Sequence, residues 1–235
     1  MKKIYSKNEL AFSLIWIGIY VVSFSLADSF SSTIGIEKSL TALLAIIMTL
    51  FLYLWINNMN LKSKYGLVYP SVSAGRLFYY VPLIMIVSVN LWSGIQLNYS
   101  VIESVLFVIS MAGVGFLEEI IFRGFLFKAL CKDGLKQAIL ISSMTFGIGH
   151  IINLFTGAEL FSTLLQIAYA ISIGYLFTIL FLCTDSLIPC ILTHSAVNSL
   201  SCFASEQSII LEIVSSVFLI IVPLVYAYAI QKKRP

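Results

Sequence analysis

Eight apolar runs, at 11–30, 39–57, 78–96, 104–127, 137–155, 160–182, 187–205 and 209–230, follow one another with only short polar breaks between them. Each has about the length, roughly 17 to 25 residues, that a helix needs to cross the hydrocarbon of a bilayer. A chain exposed to lipid must satisfy its backbone hydrogen bonds internally, so the runs are expected as helices. Composition agrees. Of the 235 residues, 60% are hydrophobic and 11% charged, and the mean hydropathy is +1.00, outside the range of ordinary soluble domains. The expected fold is all-α, a polytopic transmembrane bundle of about eight helices forming one domain over residues 1–235.

Charge then orients the bundle, because short cytoplasmic loops collect Lys and Arg. With eight spans, thirteen of the 14 basic residues fall on one side and only Lys38 on the other. Both termini are therefore expected in the cytoplasm, with the chain in a bacterial plasma membrane. The net charge of +3 reports topology and anionic lipid headgroups, and nothing in its distribution calls for nucleic acid. The apolar run after Met1-Lys-Lys-Ile-Tyr-Ser-Lys is long and lacks a small-residue cleavage site, so it reads as a retained first span. Cys131, Cys183, Cys190 and Cys202 have no CxxC spacing and read as reduced packing residues. The longest polar connection, Asn58 to Arg76, contains Tyr69-Pro-Ser-Val-Ser and is expected to form an interfacial turn with Arg76 at the headgroups.

Ionisable residues inside such runs are costly and mark function by default. Glu118 and Glu119 are adjacent in the fourth run, and the only two histidines, His150 and His194, lie in the fifth and seventh. Glu119 and Arg123 stand four residues apart in the favourable acid-before-base order, so they are expected as a structural ion pair. On an α-helix Glu118 points about 100° away from Glu119, which leaves it free to act as a base or ligand. In Phe146-Gly-Ile-Gly-His150, Gly147 and Gly149 leave room for a neighbouring helix, and Phe146 reads as packing. In His194-Ser-Ala-Val-Asn198 an imidazole and an amide share one helical face. Counted at about 1.5 Å per residue, all four polar groups reach similar depths.

A carboxylate, two imidazoles and an amide in a membrane cavity suit peptide hydrolysis. Glu118 with His150 can deprotonate water, and His194 with Asn198 can donate to the developing oxyanion. Alternatively, Glu118, His150 and His194 can bind zinc and leave a position open for water. Ser195 has no base partner, which argues against a serine nucleophile.

The ordered set Glu-Glu-x-x-x-Arg (118–123), Phe-x-x-x-His (146–150) and His-x-x-x-Asn (194–198) resembles the signature of the CPBP intramembrane protease family. That family includes the type II CAAX prenyl endopeptidases and the bacterial Abi proteins, named for bacteriocin processing and self-immunity. The resemblance covers about residues 115–200 and implies a catalytic cavity open to the cytosol and cleavage near the C-terminus of a peptide or prenylated protein. It further implies Glu118 as water-activating base, His150 as its partner, His194 and Asn198 as oxyanion donors or metal ligands, and Glu119 and Arg123 as supports. The small chain favours a bacteriocin leader or signalling peptide as substrate over a CAAX protein. Two other classes compete: a non-catalytic immunity or scaffold protein, which would be marked by loss of a catalytic position, and a proton-coupled transporter, which would be marked by repeat halves or broken helices.

Overall fold

In the computed structural model, which describes residues 1–70 and 80–232, each of the eight apolar runs contributes a helix, and no strand occurs among the described residues. A short helix α1 (Lys2–Lys7) leads into α2 (Glu9–Ile34), which Asn8 caps by accepting from the Ala11 amide. Then come α3 (Ser39–Asn58), α4 (Val81–Ser88, extended by a 3-10 turn Val89–Leu91) and α5 (Val101–Glu118). A π-helical stretch Glu119–Phe127 continues α5 into α6 (Lys128–Leu130). The remainder is α7 (Leu135–Gly149) with a 3-10 turn His150–Thr156, α8 (Leu160–Thr184), α9 (Ile188–Leu200) with a 3-10 turn Ser201–Phe203, and α10 (Ile209–Gln231).

Six of these segments are long and apolar enough to cross a membrane: Glu9–Ile34, Ser39–Asn58, Val101–Leu130, Leu135–Thr156, Leu160–Thr184 and Ile209–Gln231. The third and seventh runs differ from the expectation of full spans. Val81–Leu91 and the 13-residue α9 are short, reaching only about 16 to 20 Å at 1.5 Å per residue against roughly 30 Å of hydrocarbon. Both open with a proline in the first turn, Pro82 and Pro189, where a missing N–H costs nothing.

Both short helices start at one end of the bundle and stop partway. The Leu187 amide donates to Gly66 O at 2.8 Å, next to where α3 finishes, and the Glu37 amide donates to Glu103 Oε1 at 3.1 Å at the opposite end. Non-helical chain follows each short helix, and at membrane depth such chain would be tolerated only with its polar groups satisfied. Here the two segments satisfy each other. Gln96 N donates to Phe203 O (2.8 Å), Ser205 N to Gly94 O (3.2 Å), and Asn98 Nδ2 to the carbonyls of Cys202 and Ala204 (3.0 and 2.9 Å).

The basic end is tied by Glu9, whose carboxylate meets Lys64 Nζ at 2.8 Å and Lys132 Nζ at 3.3 Å. Burial opposes the charge on Lys64, but its hydrogen bonds to Glu9 and Tyr5 outweigh that and hold it above the usual lysine value. At the other end Lys38 pairs with Asp28 at 2.9 Å. Arg123 leaves the loop count, because it is fully buried; a guanidinium inside the bundle says nothing about loop charge. Arg76, the turn from Ser71 onward, Lys233 and Arg234 lie outside the described residues.

Candidate active site

The floor of the site is built where α5 passes into the π-helical stretch. Glu118, the last α-helical residue, and Glu119, the first π-helical one, both keep α-type dihedrals, so their side chains leave the helix about 100° apart and approach a single imidazole from two sides. Glu119 Oε1 lies 2.9 Å from His194 Nδ1, and Glu118 Oε2 lies 3.5 Å from His194 Nε2. The two carboxylates were expected to serve separate faces; instead His194 links them. Glu119 Oε1 also accepts from Arg123 Nη1 at 3.0 Å, and both side chains are fully buried. The Phe146 ring covers the guanidinium at 4.0 Å from its centroid, a cation–π contact to a fully buried charge.

Glu118 is held at its other oxygen by a residue that the three motifs do not contain. Tyr20, on α2, donates its hydroxyl to Glu118 Oε1 at 2.6 Å. The result is a continuous array Tyr20, Glu118, His194, Glu119, Arg123, in which proton donors and carboxylates alternate. Both neighbours of the imidazole are acceptors. A proton on Nδ1 therefore serves Glu119, while Nε2 faces the more loosely held Glu118.

His194 also lines a cavity of about 80 Å³ together with His150 and Asn198, walled by Ile86 and by the Phe146, Ile173 and Phe177 side chains. That is room for several waters. His150 caps α7: its Nδ1 lies 3.2 Å from Phe146 O, and since a carbonyl only accepts, this contact puts the proton on Nδ1 and leaves Nε2 as a bare acceptor. Phe146 separates the two histidines, with ring centroids at 5.4 and 5.6 Å. Among the described residues the hydrogen-bonding and ionic contacts of Glu118 are to Tyr20 and His194, and none joins it to His150. Gln166 stands at the cavity with Oε1 occupied by Asn153 Nδ2 (2.8 Å), a pairing with no motif signal in the sequence.

The zinc set expected from the sequence is not gathered. Among the described residues no three His, Cys, Asp or Glu side chains are grouped to hold a metal ion. The His194 ring has a carboxylate at each nitrogen, and His150 turns one nitrogen to a carbonyl.

Close helix approach makes the array possible. A Cβ on Gly115 would lie 2.6 Å from the Ser195 amide nitrogen and 2.8 Å from its Cα, backbone that cannot rotate aside. Ser195 itself donates to Ala112 O at 3.0 Å, so its hydroxyl is a packing contact. Gly147 plays the same part toward α8, with Ile171 N at 2.8 Å, whereas Gly149 faces open space. Gly115→Ala is accordingly expected to push α9 and His194 away from Glu118, lowering turnover by roughly 100-fold and destabilising by about 1–3 kcal/mol. Activity assays and thermal melts on the purified variant check this; wild-type values in both would contradict the close-packing account.

Comparison with known families adds the deciding observation. Residues 99–200 match the family described as Type II CAAX prenyl endopeptidase Rce1-like. It is the family to which the three motifs pointed, and the Rce1-like segment contains Glu118, Glu119, Arg123, Phe146, His150, His194 and Asn198. The match supports an intramembrane endopeptidase at the family level. No curated protein and no solved structure matches the chain. Tyr20 lies outside the Rce1-like segment altogether.

Proposed function

We propose that the chain hydrolyses a peptide bond near the C-terminus of a peptide or lipidated protein, using water activated by Glu118, with its basic end facing the cytosol. The observation that carries this is the array that reaches the cavity through His194: a carboxylate with one oxygen fixed by Tyr20 and the other facing His194 Nε2 at 3.5 Å. That distance is too long for a good hydrogen bond, so Oε2 retains capacity to take a proton. Water in the cavity gives its proton to Glu118 Oε2, and the hydroxide attacks the scissile carbonyl carbon. His150 Nε2, as an acceptor, orients the second water proton. The Asn198 amide donates to the oxyanion, with the His194 ring beside it on the cavity wall, and Glu118 then returns the proton to the leaving amine. Glu119 and Arg123 hold His194 in place.

Apolar walls from Ile86, Ile173 and Phe177 suit a substrate with an aliphatic side chain at the bond that is cut, and lipid would accommodate a prenyl chain attached beside it. The test is incubation of proteoliposomes with synthetic peptides, one prenylated on a cysteine three residues from its C-terminus and one an unlipidated leader-like sequence, with mass spectrometry of the products. A new C-terminus in the prenylated peptide alone supports CAAX-type processing, and one in the leader alone supports leader processing. No cut in either, nor in any peptide of host membranes, would move the reading to an immunity or scaffold role.

A further inference from the structure

Tyr20 occupies an unusual place for its residue type. Tyrosines of spanning helices gather at the membrane–water interfaces, yet Tyr20 stands midway along the 26-residue α2 and is 8% exposed. It belongs to an aromatic stripe, Phe12, Trp16, Tyr20 and Phe24, spaced four residues apart and buried against the rest of the bundle. Packing alone asks only for a ring there, and the Tyr20 ring does lie 4.7 Å from that of Phe24. The hydroxyl is the exception to the stripe, and its partner is Glu118 Oε1, 98 positions along the chain.

We propose that Tyr20 is a positioning residue for the hydrolytic carboxylate, an inference that rests on the reading of Glu118 as base. A glutamate side chain has freedom to rotate, and a carboxylate turned away from His194 Nε2, 3.5 Å from its Oε2, would lose its approach to the imidazole that borders the cavity. The Tyr20 hydroxyl occupies one oxygen at 2.6 Å and so leaves Oε2 as the only oxygen aimed at His194 Nε2 and at entering water. Because the phenol donates and carries no charge, it anchors the carboxylate without neutralising it, as a lysine or arginine in that place would. The arrangement makes α2, which the family match does not reach, part of the machinery: Glu118 is fixed from α2 on one side and from α9 on the other.

The alternative is that the hydrogen bond merely fastens α2 to α5. Steady-state kinetics with whichever peptide the wild type cleaves, in the same proteoliposomes, separates the two. In Tyr20→Phe the ring and its packing remain, and kcat is expected to fall roughly 10- to 100-fold, the effect of one hydrogen bond to a charged group. KM and the unfolding temperature should stay near wild type. A wild-type kcat in Tyr20→Phe, whether or not its unfolding temperature falls, would overturn the positioning role. Tyr53→Phe, which removes a hydroxyl bonded to Lys62 far from the site, serves as the control and should be unchanged in both. Glu118→Gln is run alongside. If that variant retains activity, the reading of Glu118 as base fails; if it is inactive while Tyr20→Phe turns over normally, only the inference about Tyr20 fails.

Discussion

Glu118→Gln is expected to lower kcat by about 100- to 10,000-fold, the range for loss of a general base, while the protein still inserts and folds. The amide keeps the shape of the side chain and can still accept from Tyr20 through its oxygen, so the contact at 2.6 Å has a neutral substitute. What it loses is a basic oxygen facing His194 Nε2. Stability should change little, since Glu118 is not the partner of the buried guanidinium. Kinetics on protein whose unfolding temperature matches the wild type is the proper measurement, because activity lost through misfolding would not bear on the base.

Arg123→Ala is expected to act the other way, mainly on stability. Arg123 and Glu119 are both fully buried and 3.0 Å apart, and removing one partner of such a pair costs about 3–5 kcal/mol because the remaining charge has no compensation. The Phe146 ring also loses the cation lying 4.0 Å from its centroid. The double variant Glu119→Gln with Arg123→Met removes both charges and should recover part of that loss, although His194 then lacks its Glu119 anchor and turnover stays low. Melting temperatures in one detergent check the cycle. An unchanged melting temperature in Arg123→Ala would show that the pair contributes no net stability.

Much of this architecture is legible in residue order. Hydropathy finds the helices, and the Glu119–Arg123 spacing announces the pair that the structure contains. Two features are not legible for identifiable reasons. The short reach of α4 and α9 is hidden because the chain after each, with Ile95 and Leu97 after α4 and the 3-10 turn ending at Phe203 after α9, is apolar enough to lengthen the hydropathic run. Its hydrogen bonds, such as Gln96 to Phe203, depend on pairing between segments over a hundred residues apart. The meeting of both carboxylates at His194 is hidden because the two side chains leave the helix on different faces, and only the packing of α9 against α5 sets one imidazole between them. Tyr20 left a fainter mark, a hydroxyl in mid-span within an aromatic stripe, but its partner could be named only once α2 was seen against α5.

If this chain cuts peptide bonds with Glu118, as proposed, its products must depend on that carboxylate. The most direct test is paired peptide mapping by mass spectrometry of membranes carrying wild type or Glu118→Gln at equal levels. The account predicts at least one peptide terminus present with wild type and absent with the variant. Identical peptide maps for the two, with both proteins folded and inserted, would contradict it.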